Sequence, residues 1–153
     1  MEEVKVGDSA KDFTLKDQNG EEVKLSSLAG KKVLLSFHPL AWTEICAKQM
    51  QSLEANKETF DSMNTVALGM SVDTIPSKKA WADVLVIRNT QLLSDFWPHG
   101  EVAKSYDIFN EERGISKRAN IIIDENQKIA FVKVYEIKTL PDINEIIEFI
   151  RNM

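Results

Sequence analysis

Lys32-Val33-Leu34-Leu35-Ser36-Phe37-His38-Pro39-Leu40-Ala41-Trp42-Thr43-Glu44-Ile45-Cys46 is the stretch from which the fold is read. Its first part, Lys32 to Phe37, is a short and nearly continuous apolar run, the pattern of a central strand covered on both faces. Pro39 has no N–H to give to a ladder and ends it. Helical periodicity sets in at about Thr43 and predicts a helix over 43–60, with Ile45, Met50, Leu53 and Phe60 among its apolar positions. Thr43 is the best N-cap candidate, which places Cys46 in the first turn. There the unpaired backbone N–H groups and the positive end of the helix dipole favour an anion, so the sulfur is favoured as thiolate, its nucleophilic form.

Outward from this stretch, strands and helices alternate. Toward the N-terminus, residues 13–15 and 22–25 flank a polar turn containing Asn19-Gly20, a dipeptide that tolerates positive φ, and predict a β-hairpin. Residues 26–30 read as one helical turn closed by Gly30. Toward the C-terminus, Thr65 to Ser71 reads as a second buried strand, and Ser77 can cap a helix through Ala80, Trp81, Val84 and Leu85. Residues 92–94 predict a brief strand and 98–106 a short helix. Residues 119–124 and 128–135 flank a polar turn as an antiparallel hairpin, and a C-terminal helix carries Ile143, Ile146, Ile147 and Ile150, capped by Thr139 or Asp142. The succession predicts an α/β protein of thioredoxin-like order, a central mixed β-sheet flanked by helices with an N-terminal β-hairpin extension. With no repeats or linkers, residues 1–153 read as one domain.

Composition narrows the functional classes. At 153 residues with 43% hydrophobic side chains, the chain can bury a conventional core. A net charge of −5 gives no general attraction to phosphate backbones or anionic membranes, so neither nucleic acid nor a membrane is an expected partner. One Cys cannot form an intramolecular disulfide, and with two His it cannot supply a Cys-rich zinc set; no metal and no cofactor is expected. Met1-Glu2-Glu3-Val4-Lys5 lacks the basic start and apolar run of a signal peptide, and no window approaches the ~18 apolar residues of a membrane span. The expected compartment is the cytoplasm, where a thiol stays reduced.

The spacing Pro39…Thr43…Cys46, P-x-x-x-T-x-x-C, resembles the active-site signature of the peroxiredoxins, the AhpC/TSA superfamily. Residues 6–15 (VGDSAKDFTL) resemble that family's opening segment, and residues 118–124 (RANIIID) its late arginine-bearing strand. Phe96-Trp97-Pro98-His99-Gly100, the short length and the single Cys are most similar to the AhpE-like one-cysteine branch. The resemblance implies that Cys46 is the peroxidatic nucleophile, oxidised to a sulfenic acid by hydrogen peroxide or an organic hydroperoxide. It implies that Thr43 and Arg118, with Cys46, bind the peroxide, and that Pro39 shields the thiolate. Lys11 stands where many members have proline, His38 where an aromatic is common, and Gln49 where an acidic or amide residue helps order the arginine. Gln49 and Trp42 are assigned supporting roles. For His38 a structural role outweighs that of a base, because a helix-end thiolate beside arginine needs none. Arg88 and Arg113 have no spacing that ties them to the site.

With no second thiol in the chain, the sulfenic acid has to be resolved from outside, by a low-molecular-weight thiol, a thioredoxin- or glutaredoxin-type protein, or another subunit. A homodimer is the usual family state, with the aromatic loops at Trp42 and Trp97 as contact surface. The competing reading is a redox-sensing binding or chaperone-like module on the same fold, against which the complete Pro39, Thr43, Cys46 and Arg118 set argues.

Overall fold

The computed structural model describes residues 4–153; the reading of the first residues as lacking a leader falls partly on 1–3, outside the described residues. The strands are β1 (Thr14–Lys16), β2 (Glu22–Lys24), β3 (Lys32–Phe37), β4 (Thr65–Ser71), β5 (Gln91–Ser94), β6 (Phe109–Asn110), β7 (Ile115–Ser116), β8 (Arg118–Ile123) and β9 (Ile129–Tyr135). The helices are α1 (Glu44–Ala55), α2 (Lys57–Ser62), α3 (Ile75–Leu85), α4 (Glu101–Ser105) and α5 (Ile143–Arg151), with a 3-10 turn at Leu25–Leu28.

Seven strands form one sheet in the order β2-β1-β5-β4-β3-β8-β9, and β6 and β7 form a separate small ribbon. β3, β4 and β5 run parallel, while β1 pairs antiparallel with β5 and β8 antiparallel with β3. The sheet is therefore mixed, as the alternation of elements predicts, and the N-terminal hairpin continues its edge. The two-residue periodicity of β3 divides the core. Val33, Leu35 and Phe37 pack on one face with Leu68, Met70, Ala119, Ile121 and Tyr106. Leu34 packs on the other with Met50, Leu53, Phe60, Trp81, Ile122 and Ile146.

Three local expectations are corrected. The helix predicted over 43–60 is two helices, because Asn56 turns out of helical backbone, its side-chain amide donates to the Ser52 carbonyl at 2.8 Å, and its own carbonyl starts α2 by accepting from the Phe60 amide. Thr74, not Ser77, caps α3: its hydroxyl accepts from the Ser77 amide at 3.3 Å, with Pro76 in the first turn where its missing N–H costs no ladder bond. The helix expected over 98–106 is confined to Glu101–Ser105. Of the two cap candidates for α5 it is Asp142 that accepts, from the Asn144 amide at 2.9 Å.

The antiparallel pairing of β8 with β3 decides where the site lies. It sets Ala119 opposite Phe37, so the start of β8 meets the end of β3. This is the carboxyl end of the parallel strands, where α/β sheets open a crevice.

Candidate active site

α1 leaves the loop that follows β3 and buries Cys46, Gln49, Met50 and Leu53, a spacing that puts all four on one helical face. Cys46 is 1% exposed. The ladder of α1 begins when the Ala47 amide donates to the Thr43 carbonyl at 2.9 Å, and Ile45 and Cys46 precede that amide in the first turn, where a helix offers no acceptor. Thr43 occupies the N-cap position, but its hydroxyl does not cap the helix. It donates instead to the Leu40 carbonyl at 2.9 Å, which leaves the oxygen lone pairs free and corrects the expectation of a side-chain cap.

Arg118, the first residue of β8, is buried and donates four hydrogen bonds from its guanidinium. Its Nη1 donates to Cys46 Sγ at 3.4 Å and to Gln49 Oε1 at 2.7 Å, while Nε and Nη2 donate to the Ile137 carbonyl at 3.0 and 2.8 Å. Gln49 is held in turn, its amide donating to Ser36 Oγ at 2.8 Å and to the Phe37 carbonyl at 3.1 Å. The fork is thus fixed on two sides before any ligand arrives, and a fixed donor costs no reorganisation during reaction. A cavity of about 280 Å³ opens above the sulfur, lined by Pro39, Leu40, Thr43, Cys46, Arg118 and Ile137, with Arg113 and Lys138 adding positive charge and Glu44 one negative charge.

Pro39, Thr43, Cys46 and Arg118 thus share one cavity, with Gln49 tied to Arg118. Trp42 does not line it: Trp42 is 53% exposed, has φ +70, and donates from its indole to Ser77 Oγ at 3.0 Å. A positive φ in a bulky residue is strained, and it marks the turn that redirects the chain from Pro39 into α1. His38 is buried with its ring centroid 5.1 Å from that of Trp81. Burial, then the positive charges of Lys78 and Arg118, hold the imidazole well below its ordinary range, so it is neutral. Arg88 lies elsewhere, its amide donating to Glu54 at 3.0 Å.

Arg113, Ile115, Ile137 and Lys138 were not legible as site residues. Ile115 opens β7 and Arg113 lies in the turn between β6 and β7, whose two-residue strands are too short to show periodicity. Ile137 contributes a backbone carbonyl, which no side-chain pattern reports.

This chain is similar to known proteins over most of its length. The model of the AhpC/TSA family matches residues 6–132. Alkyl hydroperoxide reductase E of Mycobacterium tuberculosis (strain ATCC 25618 / H37Rv) is 41% identical over 132 residues, 86% of each chain. A thiol peroxidase of Streptococcus gordonii is 32% identical over 152 residues, 99% of this chain and 91% of that one. Among solved structures, reduced 2-Cys peroxiredoxin from Plasmodium vivax superposes with a TM-score of 0.88 at 27% identity, covering 95% of this chain and 80% of that one. Peroxidoxin BcpB from Mycobacterium tuberculosis gives 0.85 at 26% identity over 98% of both chains.

Proposed function

The chain belongs to the AhpC/TSA family, and from that membership we propose that this peroxiredoxin works by a one-cysteine mechanism with Cys46 as its nucleophile. The observation that carries the reading is the Arg118 guanidinium, 3.4 Å from a buried sulfur at the base of an open cavity. The Cys46 thiolate attacks one peroxide oxygen of hydrogen peroxide or an organic hydroperoxide. An S–O bond forms as the O–O bond breaks, the sulfur is oxidised to sulfenic acid, and the alkoxide or hydroxide that leaves takes a proton from water. Arg118 opposes the negative charge that grows on the leaving oxygen, and the Thr43 hydroxyl, together with the Cys46 amide, orients the peroxide. Pro39 closes one wall with an apolar ring that donates no hydrogen bond.

With one Cys in the chain, an external thiol condenses with the sulfenic acid, releasing water and leaving a mixed disulfide. A second thiol then reduces that disulfide and returns Cys46. A low-molecular-weight thiol or a thioredoxin- or glutaredoxin-type protein fills this role, in a cytoplasmic homodimer. Among the described residues no helix is long and apolar enough to cross a membrane.

The experiment is peroxide consumption with excess thiol by the wild-type protein and Cys46→Ser, with intact masses taken after one equivalent of peroxide. The reading requires thiol-dependent turnover and a protein one oxygen atom heavier, both lost in Cys46→Ser. Turnover that survives the substitution would sink it, and a protein that is oxidised without turning over would be a redox sensor on this fold.

A further inference from the structure

The mouth of the Cys46 cavity differs from its floor. Leu40 and Ile137, 38% and 40% exposed, give it an apolar rim, and Arg113 and Lys138 add two exposed cations. The acidic lining residue, Glu44, already has a partner, Lys48 at 3.4 Å. Among the described residues no carboxylate lies within ion-pair distance of Arg113 or Lys138. An exposed cation alone is ordinary solvated surface. These two are set apart by standing together, without anions, at the opening over the one cysteine of a chain whose net charge is −5.

We propose that Arg113 and Lys138 are specificity-determining residues of the resolving step, selecting as reductant a low-molecular-weight thiol that carries a carboxylate close to its sulfur. This rests on the reading of Cys46 as a peroxidatic cysteine resolved from outside. Cys46 is 1% exposed at the bottom of about 280 Å³, so the resolving sulfur enters by this opening, and the body behind it stays among Leu40, Ile137, Arg113 and Lys138. Hydrogen peroxide has no such body.

The charge at the floor favours the thiol over the peroxide as the selected reactant. In the reduced protein the Cys46 thiolate sets a negative charge against Arg118, whose Nη1 lies 3.4 Å from the sulfur. The sulfenic acid that a thiol attacks is protonated and neutral, so that charge is withdrawn while all three cations remain. The cavity is therefore most positive when the thiol is due to enter, and an anion is drawn more strongly to the oxidised protein than to the reduced one. The thiolate sulfur then attacks Cys46 Sγ. An S–S bond forms as the S–O bond breaks, the bonding pair leaves with the oxygen as hydroxide, and the proton given up by the thiol completes water. The incoming thiol is oxidised and the sulfenic sulfur reduced.

The test uses the full chain, oxidised with one equivalent of hydrogen peroxide until intact mass shows the sulfenic acid, then mixed with mercaptopropionate, mercaptoethanol or cysteamine. These end in a carboxylate, a hydroxyl and an ammonium. Rate constants for mixed-disulfide formation are expressed per thiolate and as ratios to mercaptoethanol, so that thiol acidity and any general loss of reactivity cancel between proteins. In Arg113→Gln/Lys138→Gln the mercaptopropionate ratio is expected to fall by about threefold to tenfold, the worth of one or two exposed charge pairs, and the cysteamine ratio to rise. Ratios that the substitutions leave unmoved overturn the proposal.

Should the double variant misfold, the salt dependence of the wild type decides. The mercaptopropionate ratio is expected to fall as salt is raised, because screening weakens a local attraction. The net charge of −5 acting alone would make it rise, so a flat or rising ratio overturns the proposal. A carboxylate-bearing alkyl hydroperoxide, set against tert-butyl hydroperoxide on the reduced protein, separates the two reactants. Discrimination lost in the double variant at that step, and not at the thiol step, would assign the cations to the peroxide and overturn the proposal. A protein in which no sulfenic acid forms would defeat the one-cysteine reading and this proposal with it, whereas a sulfenic acid resolved without regard to charge defeats this proposal alone.

Discussion

Cys46 meets two sources of positive potential that arise from different parts of the chain: the first turn of its own helix, and Arg118 from a strand far along the sequence. The first was legible, because Pro39, Thr43 and Cys46 are neighbours in sequence and the helix period places them. The second entered only through the resemblance of residues 118–124, since nothing in an isolated arginine before an apolar strand says which sulfur it will meet. The burial of Lys78 was not legible; a lysine followed by a second lysine reads as solvated surface, and only the packed structure shows it buried. Arg118→Ala is expected to slow peroxide attack on Cys46 by about 10² to 10³, the usual cost of removing one preorganised donor, and Arg118→Lys to recover little of it, because an ammonium cannot bridge Cys46, Gln49 and Ile137 at once. Single-turnover oxidation rates check both; an unchanged rate in Arg118→Ala would mean that Arg113, which lines the same cavity, is the working arginine.

At the scale of elements, β3 and β4 match their apolar runs because each is a buried parallel strand with a proline or polar connection to end it. The α1–α2 break was hidden, as neither Gly nor Pro marks it and Asn56 acts through its side chain. The β6–β7 ribbon was hidden by its shortness, and with it two walls of the cavity. The close seating of α1 on the sheet, which fixes the height of Cys46 and Gln49, depends on Gly69 of β4. A Cβ there would collide with Met50 Sδ from α1 and would stand 2.8 Å from Leu92 Cδ2 of β5. Gly69→Ala is therefore expected to cost about 1–3 kcal/mol, measured by chemical denaturation, and to slow the oxidation of Cys46 by lifting α1. A variant of wild-type stability would show that Met50 repacks freely.

Over the whole molecule, the mixed sheet places every residue of the site at one end, where the parallel strands finish and β8 begins. The fold class was legible because the alternation of strands and helices constrains it strongly. Phe96 and Trp97 stand exposed, Trp97 at 78%, beside an apolar groove of about 480 Å³ that Leu15, Ile75 and Pro76 also line. An exposed apolar patch of this kind marks a contact surface, which a second copy would cover. Sedimentation equilibrium at micromolar concentration is expected to give a dimer, and Trp97→Glu to shift it toward monomer while leaving Cys46 oxidation intact. A monomeric wild type would remove the dimer from the account.

The measurement that bears most directly on Cys46 as a peroxidatic centre is stopped-flow tryptophan fluorescence of the reduced protein mixed with hydrogen peroxide and, separately, with an organic hydroperoxide. Trp42, at the turn into α1, and Trp81, against His38, supply the signal. The expected result is a rapid change, absent in Cys46→Ser, whose second-order rate constant exceeds that of a free thiolate by about a thousandfold or more. A rate no greater than that of free cysteine, with either peroxide, would contradict the account: the cavity, the fixed guanidinium and the helix end would then hold a thiol that they do not activate.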